Sequence, residues 1–198
     1  MNMISSVDLK RFLRFYFAVV DGKYVCAKFE DTTKIGIYAC LYALLRSTSR
    51  EGREVAVVSH SIPSNAVMES AFLNLCSQVG VEAIHTNDGI EVGSCKVSFL
   101  VSSKYILEYS EVDDVIFNDC VTDKDSLDHF FNMANEFERR SSQVVVLGRD
   151  MEGELFSSVY NSYQAIEHSE GNLEVLQHYI EPEDLENVDY TEFSAFEV

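Results

Sequence analysis

The first residues whose types and order could do chemistry lie at a strand-to-helix junction near the amino terminus. The stretch Tyr24 to Gly36 begins with apolar residues typical of a buried strand and continues through Thr32 and Thr33, which are typical of a helix start. A phosphate-binding loop at such a junction has the pattern G-x-x-x-x-G-K-[ST], because glycines let backbone N–H groups approach the phosphates and the lysine neutralises them. Here Glu30 and Asp31 precede the threonines, and two carboxylates would repel a triphosphate.

The cysteines and histidines show no pattern for metal binding or nucleophilic catalysis. The five cysteines contain no C-x-x-C pair, which predicts reduced thiols, and the five histidines lack the spacing of metal ligands. His60, Ser61 and Cys120 could supply a nucleophile and a base, but no nucleophile elbow surrounds them. We therefore predict no metal site, no bound cofactor and no catalytic triad.

Alternating strands and helices must position these residues. The predicted strands cover residues 23–29, 54–59, 82–85, 112–117 and 143–147, and a hairpin across Gly93-Ser94 joins 90–92 to 96–101. The predicted helices cover residues 7–20, from Thr32 or Thr33 to 46, from a turn and N-cap at 61–64 to about 79, and about 127–137. Weaker signals indicate a short helix over 151–160 and an edge strand over 173–180. The first strand–helix–strand unit predicts parallel pairing of its two strands, and the whole pattern predicts a mostly parallel, three-layer α/β sheet.

Length and charge divide the chain into one domain, residues 1–180, and an acidic tail, residues 181–198. Residues 1–149 contain 15 basic and 20 acidic side chains, whereas residues 150–198 contain 13 acidic and no basic ones. This acidity opposes direct contact with a nucleic-acid backbone and is typical of a solubilising tail or a segment that binds a basic partner.

No apolar run approaches the roughly 18 residues that span a membrane. The first eight residues also lack the basic and apolar regions of a signal peptide. The sequence therefore predicts a cytoplasmic location without a membrane partner.

The order of these elements resembles the ATPase domain of tailed-phage large terminase subunits, the motors that package DNA into capsids. The resemblance covers residues 7–180. Tyr24-Val25-Cys26 precedes the Thr-Thr helix start, and segment 55–61 is similar to the second strand and its loop. Segment 90–99 is similar to the hairpin that those motors carry, 115–120 stands at the Walker B position, and 144–148 at the coupling motif. The resemblance implies a RecA-like P-loop NTPase fold with a β-hairpin insertion. A superfamily 2 helicase domain shares much of this layout, and the hairpin favours the terminase.

The resemblance also implies which positions would carry ATP hydrolysis, and most of them are altered. Asp31 stands at the position of the Walker A lysine and Glu30 at the glycine before it, in a loop about three residues shorter than the family's. Thr32 keeps the hydroxyl that would bind Mg²⁺. Asn118 replaces the metal-facing carboxylate, and Asp119 replaces the catalytic Glu with a shorter side chain. We treat these five positions as vestigial.

The coupling position, Leu147-Gly148-Arg149, has no hydroxyl either. We therefore predict an inactive pseudo-ATPase: a viral protein in the host cytoplasm that binds another protein, such as a subunit of a packaging motor, and no nucleic acid. One alternative is an acidic inhibitor or decoy of a nucleic-acid-binding protein, and another is a divergent helicase-like nucleotide-binding domain. Taken singly, Thr32-Thr33 also fits a simple helix cap and Asn118-Asp119 a simple strand end.

Overall fold

The computed structural model describes residues 12, 13, 16, 24–29, 32–102, 112–120, 124–140, 142–149 and 164–165. Strands and helices alternate along this part of the chain, in the order β1 Tyr24–Phe29, α1 Thr32–Ser49, β2 Glu54–Ser59, α2 Ile62–Gln78, β3 Ala83–Thr86, β4 Gly89–Val92, β5 Cys95–Val101, β6 Asp114–Asn118, α3 Lys124–Arg139, β7 Gln143–Arg149 and β8 Gln164–Ala165. Phe12, Leu13 and Tyr16 are helical, as predicted, and are buried.

The described strands form one sheet in the order β3-β4-β5-β2-β6-β7-β1-β8. All neighbours from β5 to β8 pair in parallel, and only the pairs β3–β4 and β4–β5 are antiparallel. The predicted mostly parallel α/β sheet is therefore confirmed. The predicted hairpin is confirmed as β4 and β5, with Gly93 in the turn at a φ of 60° that favours glycine.

The predicted pairing of the first two strands is wrong, because β6 and β7 lie between β1 and β2. The length of the connection between two strands determines whether they run parallel. It does not determine which strands lie side by side in the sheet. Every residue of β6 is buried, and strands covered on both faces take central places in a parallel sheet.

Helix α1 continues three residues beyond its predicted end at Arg46. The hydroxyls of Ser47, Thr48 and Ser49 donate hydrogen bonds to carbonyls of the preceding turn, at 2.9 to 3.1 Å. The Ser49 bond reaches the Arg46 carbonyl, one of the last four of the helix, which otherwise lack partners. The other two hydroxyls bond back to the Leu44 carbonyl inside the helix. Helix α2 begins as predicted, with the Ser61 hydroxyl accepting from the Ser64 N–H. The strand β8 was not predicted, and the predictions for 151–160, 173–180 and the acidic tail lie outside the described residues.

The core has two layers, one on each face of the sheet. Alternate residues of the central strands, such as Val57 and Ile116, pack against α1 and α2. The residues between them, such as Val58 and Phe117, pack against α3, where Phe117 meets Phe130 edge to face at 4.9 Å. The three-layer prediction is confirmed.

A buried carboxylate at the amino end of β6 joins three elements. Asp114 is fully buried, and its Oδ1 accepts hydrogen bonds from the Tyr42 hydroxyl at 3.0 Å and from Arg46 Nε at 2.9 Å. Arg53 Nη1 donates to the other carboxylate oxygen. Burial, with the Asp114 charge adding to it, raises the pKa of Tyr42 well above its ordinary value, so the hydroxyl keeps the proton that it donates. The cluster of Asp114, Tyr42, Arg46 and Arg53 therefore fixes α1 and β2 to β6.

Replacing Asp114 with Asn should destabilise the protein by about 3–5 kcal/mol, because Arg46 and Arg53 would keep their positive charges at 12% side-chain exposure without a counter-charge. Urea unfolding followed by circular dichroism measures this change. The control is Glu136→Gln, which removes a more exposed carboxylate from its pairs with Arg139 and Arg140 and should cost less than about 1 kcal/mol. Equal losses in the two variants would contradict the importance of the Asp114 cluster.

Candidate functional site

The candidate site lies at the carboxyl edge of the sheet, where the parallel strands β1, β2, β6 and β7 all end. Strand register places Ser59, Asn118 and Leu147 side by side at this edge. In parallel α/β sheets, ligands bind beyond the carboxyl ends of the strands. The edge therefore contains the altered positions that the sequence indicated at the ends of β6 and β7.

The junction between β1 and α1 is short. Strand β1 ends at Phe29 and α1 begins at Thr32, so only Glu30 and Asp31 connect them. Both connecting residues lie outside the described residues, and Thr32 is described only through its backbone, as the first residue of α1. Strand β7 lies between β1 and β6. Neighbouring strands are spaced about 4.8 Å apart, so the ends of β1 and β6 are about 10 Å apart.

Asn118 ends β6 on the side of the sheet that α1 covers. It lies two residues beyond Ile116, whose side chain packs in the layer formed with α1 and α2. Asn118 is only 3% exposed, and its Oδ1 has no hydrogen-bond partner among the described residues. The hydroxyl of Ser59, its register partner on β2, is also buried without a partner in the described part of the chain. Two polar groups with unmet hydrogen-bonding capacity thus lie side by side at this edge, and leaving such groups unpaired is unfavourable.

Asp119 turns the chain away from the strand. Its φ of 51° lies in the left-handed region, which Asp tolerates better than most residues, and its backbone N–H donates to the Leu147 carbonyl at 2.9 Å. The turn sends Cys120 into the layer beneath α3, where its thiol donates to the Val58 carbonyl at 3.0 Å. Asp119 therefore acts through its backbone as a link between β6 and β7.

The residues considered for nucleophilic catalysis have other roles. Burial raises the pKa of the Cys120 thiol, with the nearby Asp119 charge adding to it, so the thiol stays protonated and is a poor nucleophile. The Ser61 hydroxyl caps α2. His60 is exposed at the end of β2. Across the described ranges, no group of three or more His, Cys, Asp or Glu side chains could hold a metal ion.

The third altered position lies at the end of β7. Leu147 is buried in the layer against α1 and α2, and Gly148 beside it is also buried. The Leu147 carbonyl accepts the Asp119 N–H, while Arg149 is described only by its place as the last residue of the strand. The end of β7 therefore contributes packing and a backbone link to this edge.

The Asp114 cluster was missed by the sequence analysis. Its two arginines lie 68 and 61 residues from Asp114 along the chain, and an acidic residue ahead of an apolar run is usually a surface residue. The signal that could have found it is indirect: Arg46 and Arg53 flank the turn that leads into a central strand.

The fold and the arrangement of strand ends define a class: the chain is an α/β protein with a RecA-like fold of the terminase type.

None of the helices that the structure describes is long and apolar enough to cross a membrane.

Solved structures of phage packaging proteins share this fold. The large terminase ATPase domain of Thermus phage P74-26 superposes with a TM-score of 0.54 at 8% sequence identity, over 79% of this chain and 74% of that one. The large terminase of another thermophilic bacteriophage, in complex with ADP, superposes with a TM-score of 0.51 at 11% identity, over 74% of this chain and 38% of that one. No protein-family model and no curated protein sequence matches this chain. The terminase-like fold that the sequence predicted is therefore confirmed.

Replacing Asn118 with Leu should change the free energy of unfolding by less than about 1 kcal/mol, because an apolar side chain of similar size removes an acceptor that has no donor. The matched control is Asn65→Leu. Asn65 Nδ2 donates to the Phe99 carbonyl at 2.9 Å, so this change should cost about 1–3 kcal/mol. Chemical unfolding of both variants gives the two values. A loss at Asn118 as large as that at Asn65 would mean that the Asn118 amide makes a bond that the protein needs.

Proposed function

We propose that this chain uses a terminase-like ATPase fold without nucleotide chemistry and acts by binding another protein. The observation that carries the proposal is the two-residue connection between β1 and α1. A phosphate-binding loop needs several glycine-rich residues between strand and helix, so that successive backbone N–H groups surround the phosphate. Two residues provide too little backbone for that purpose.

The charge of this connection supports the same proposal. The amino end of a helix carries a partial positive charge of about half a unit, which attracts phosphate groups in nucleotide-binding proteins. Both residues ahead of α1, Glu30 and Asp31, are acidic. Their carboxylates would neutralise that partial charge and repel an incoming phosphate.

The end of β6 supports it as well. Phosphoryl transfer in this class of fold requires a carboxylate that holds Mg²⁺ and a residue that positions the attacking water. Asn118 is neutral, and it is almost completely buried. Asp119 has a left-handed backbone conformation, and its N–H is bonded to β7. Loss at two separate positions is better explained by a fold retained for its surfaces than by one aberrant loop.

The proposed partner is a protein, and one candidate is a subunit of a packaging motor. RecA-like ATPase domains work in pairs or rings, so a chain with this fold and no chemistry could take the place of one subunit and modulate its neighbours. This choice of partner rests on the fold alone, and a fold does not determine a function.

Purified protein should neither bind ATP–Mg²⁺ with micromolar affinity nor hydrolyse it above background. Isothermal titration calorimetry measures the binding, and release of inorganic phosphate measures the hydrolysis. If heat is observed, Thr32→Ala distinguishes a true site from incidental binding, because Thr32 stands where the Mg²⁺ hydroxyl would be. Thr48→Ala, on the last turns of the same helix, is the matched control. Micromolar binding that Thr32→Ala weakens and Thr48→Ala does not would overturn the proposal.

A second candidate function is an acidic decoy for a basic, nucleic-acid-binding protein. The supporting observation is that residues 150–198 contain 13 acidic side chains and no Lys or Arg. Deleting residues 181–198 should then abolish binding to a lysine-rich peptide, and rising salt should weaken that binding in the full chain. Binding that changes with neither deletion nor salt would rule out this function.

A further inference from the structure

The outer edge of β3 is free of any other described strand. β3 is the terminal strand of the sheet and pairs only with β4, from Ala83 opposite Val92 to Thr86 opposite Gly89. An edge strand presents backbone N–H and C=O groups that can pair with a strand from another chain. Its four residues, Ala-Ile-His-Thr, include no Pro or Lys, the residues that commonly protect such an edge.

The edge also carries an exposed apolar side chain on a strand that is already extended. Ile84 is 54% exposed, and its neighbour His85 makes a surface contact with Glu69 of α2, with 2.8 Å between Nε2 and Oε1. Pairing with β4 holds β3 in the sheet, so docking a partner strand would require little ordering of the edge. Preorganisation of this kind favours binding. An exposed isoleucine beside an open edge is a suitable anchor for an apolar side chain of a partner.

A cavity of about 520 Å³ adjoins this edge. It lies between the carboxyl end of α1 and the strands β3 to β5, at the opposite end of the sheet from the candidate site. Its lining residues include Ile84 and three acidic residues, Glu51, Glu82 and Glu91, against one basic residue, Arg50. All three acidic residues are exposed. The cavity therefore combines an apolar wall with a net negative charge.

The surrounding sequence identifies the charge of the occupant. Residues 61–95 contain four acidic side chains and no Lys or Arg, and Lys96, the next basic residue along the chain, lies on β5 opposite Glu91. A second copy of this chain would bring the same acidic edge against itself, and each copy carries a net charge of −18. Like charges placed opposite each other oppose association, whereas a basic segment would be attracted.

We propose that the outer edge of β3 and the adjoining cavity form the docking surface for an extended, basic segment of a partner protein. The segment adds one strand to the sheet beside β3. An apolar side chain of the segment packs on Ile84, and a Lys or Arg side chain enters the cavity towards Glu82 and Glu91. This inference rests on the proposed function, because it names the surface through which the chain binds its partner.

The test uses the full chain labelled with ¹⁵N and a synthetic ten-residue peptide of repeating Lys-Thr-Val-Thr, which as a strand presents Lys and Val alternately on one face, as Ile84, Glu82 and Glu91 require. Amide signals of 83–86 and of the cavity lining should shift on titration, and hydrogen exchange of the β3 amides should slow. A peptide of the same length with Glu in place of Lys should cause neither effect. Shifts confined to other parts of the chain would overturn the proposal, as would equal binding of the two peptides.

Charge-reversal variants locate the interaction. The double variant Glu82→Lys with Glu91→Lys should weaken peptide binding by about tenfold or more, because repulsion replaces attraction. The matched control changes net charge equally, with Asp128→Lys and Glu136→Lys on α3, and should bind within about twofold of the original chain. Ile84→Ala should also weaken binding, and Ile62→Ala, at the exposed residue that begins α2, should not. Equal effects in the two double variants would overturn the proposal.

These experiments also distinguish other occupants of this surface, and they separate failure of this inference from failure of the proposed function. If deletion of residues 181–198 abolishes peptide binding while the Glu82/Glu91 variant still binds normally, the tail binds the peptide. That result would overturn the proposal. Self-association that Ile84→Ala abolishes would overturn it in favour of a second copy. Binding of ATP–Mg²⁺ would defeat the proposed function whatever the peptide does, whereas failure of the peptide without ATP binding would defeat only this inference.

Discussion

One buried carboxylate, that of Asp114, governs how the layers of this protein fit together. It accepts from Tyr42 and Arg46 on α1 and from Arg53 at the start of β2, while its own backbone begins β6. Removing charges from water is unfavourable, and the pairing is tolerable because each of the three partners donates a hydrogen bond to the carboxylate. The arrangement requires one position of α1 along the sheet. It also fixes which ends of β2 and β6 lie together, and hence where their other ends meet.

Buried polar groups lie at both edges of the sheet. At the amino edge the Asp114 carboxylate accepts from three side chains, although Arg53 Nε in the same cluster has no partner among the described residues. At the carboxyl edge the Asn118 Oδ1 and the Ser59 hydroxyl also have no described partner. Unpaired buried polar groups are typical of places where a structure has been shaped by something other than stability. Here they lie beside a helix start that follows its strand after only two residues. The carboxyl edge therefore combines two buried polar groups with a short strand-to-helix connection.

Much of the fold could be predicted from the sequence, because its signals are local. Apolar runs such as 112–117 mark central strands, the segment 61–64 marks a helix start, and Gly93-Ser94 marks a hairpin turn. Strand neighbours could not be predicted in the same way, because the insertion of β6 and β7 between β1 and β2 depends on packing across the whole sheet. At the candidate site, Asn118 is singled out by the resemblance to the terminase Walker B position, but its burial and unpaired oxygen required the assembled layers. The Asp114 cluster, joined over more than sixty residues, leaves no local pattern.

The Asp114 cluster also has a consequence for how the molecule fluctuates. Arg46 lies in the last turn of α1, Arg53 precedes β2 and Asp114 starts β6. None of these elements can therefore detach alone without leaving a buried charge unpaired. The amino edge is therefore bound into one cooperative unit that opens only when the domain unfolds, and its amide hydrogens belong to the slowest class to exchange with solvent. Among the described residues, no comparable cluster of ion pairs joins the strands at the carboxyl edge. Small openings of the native state therefore concentrate there, around the ends of β2 and β6.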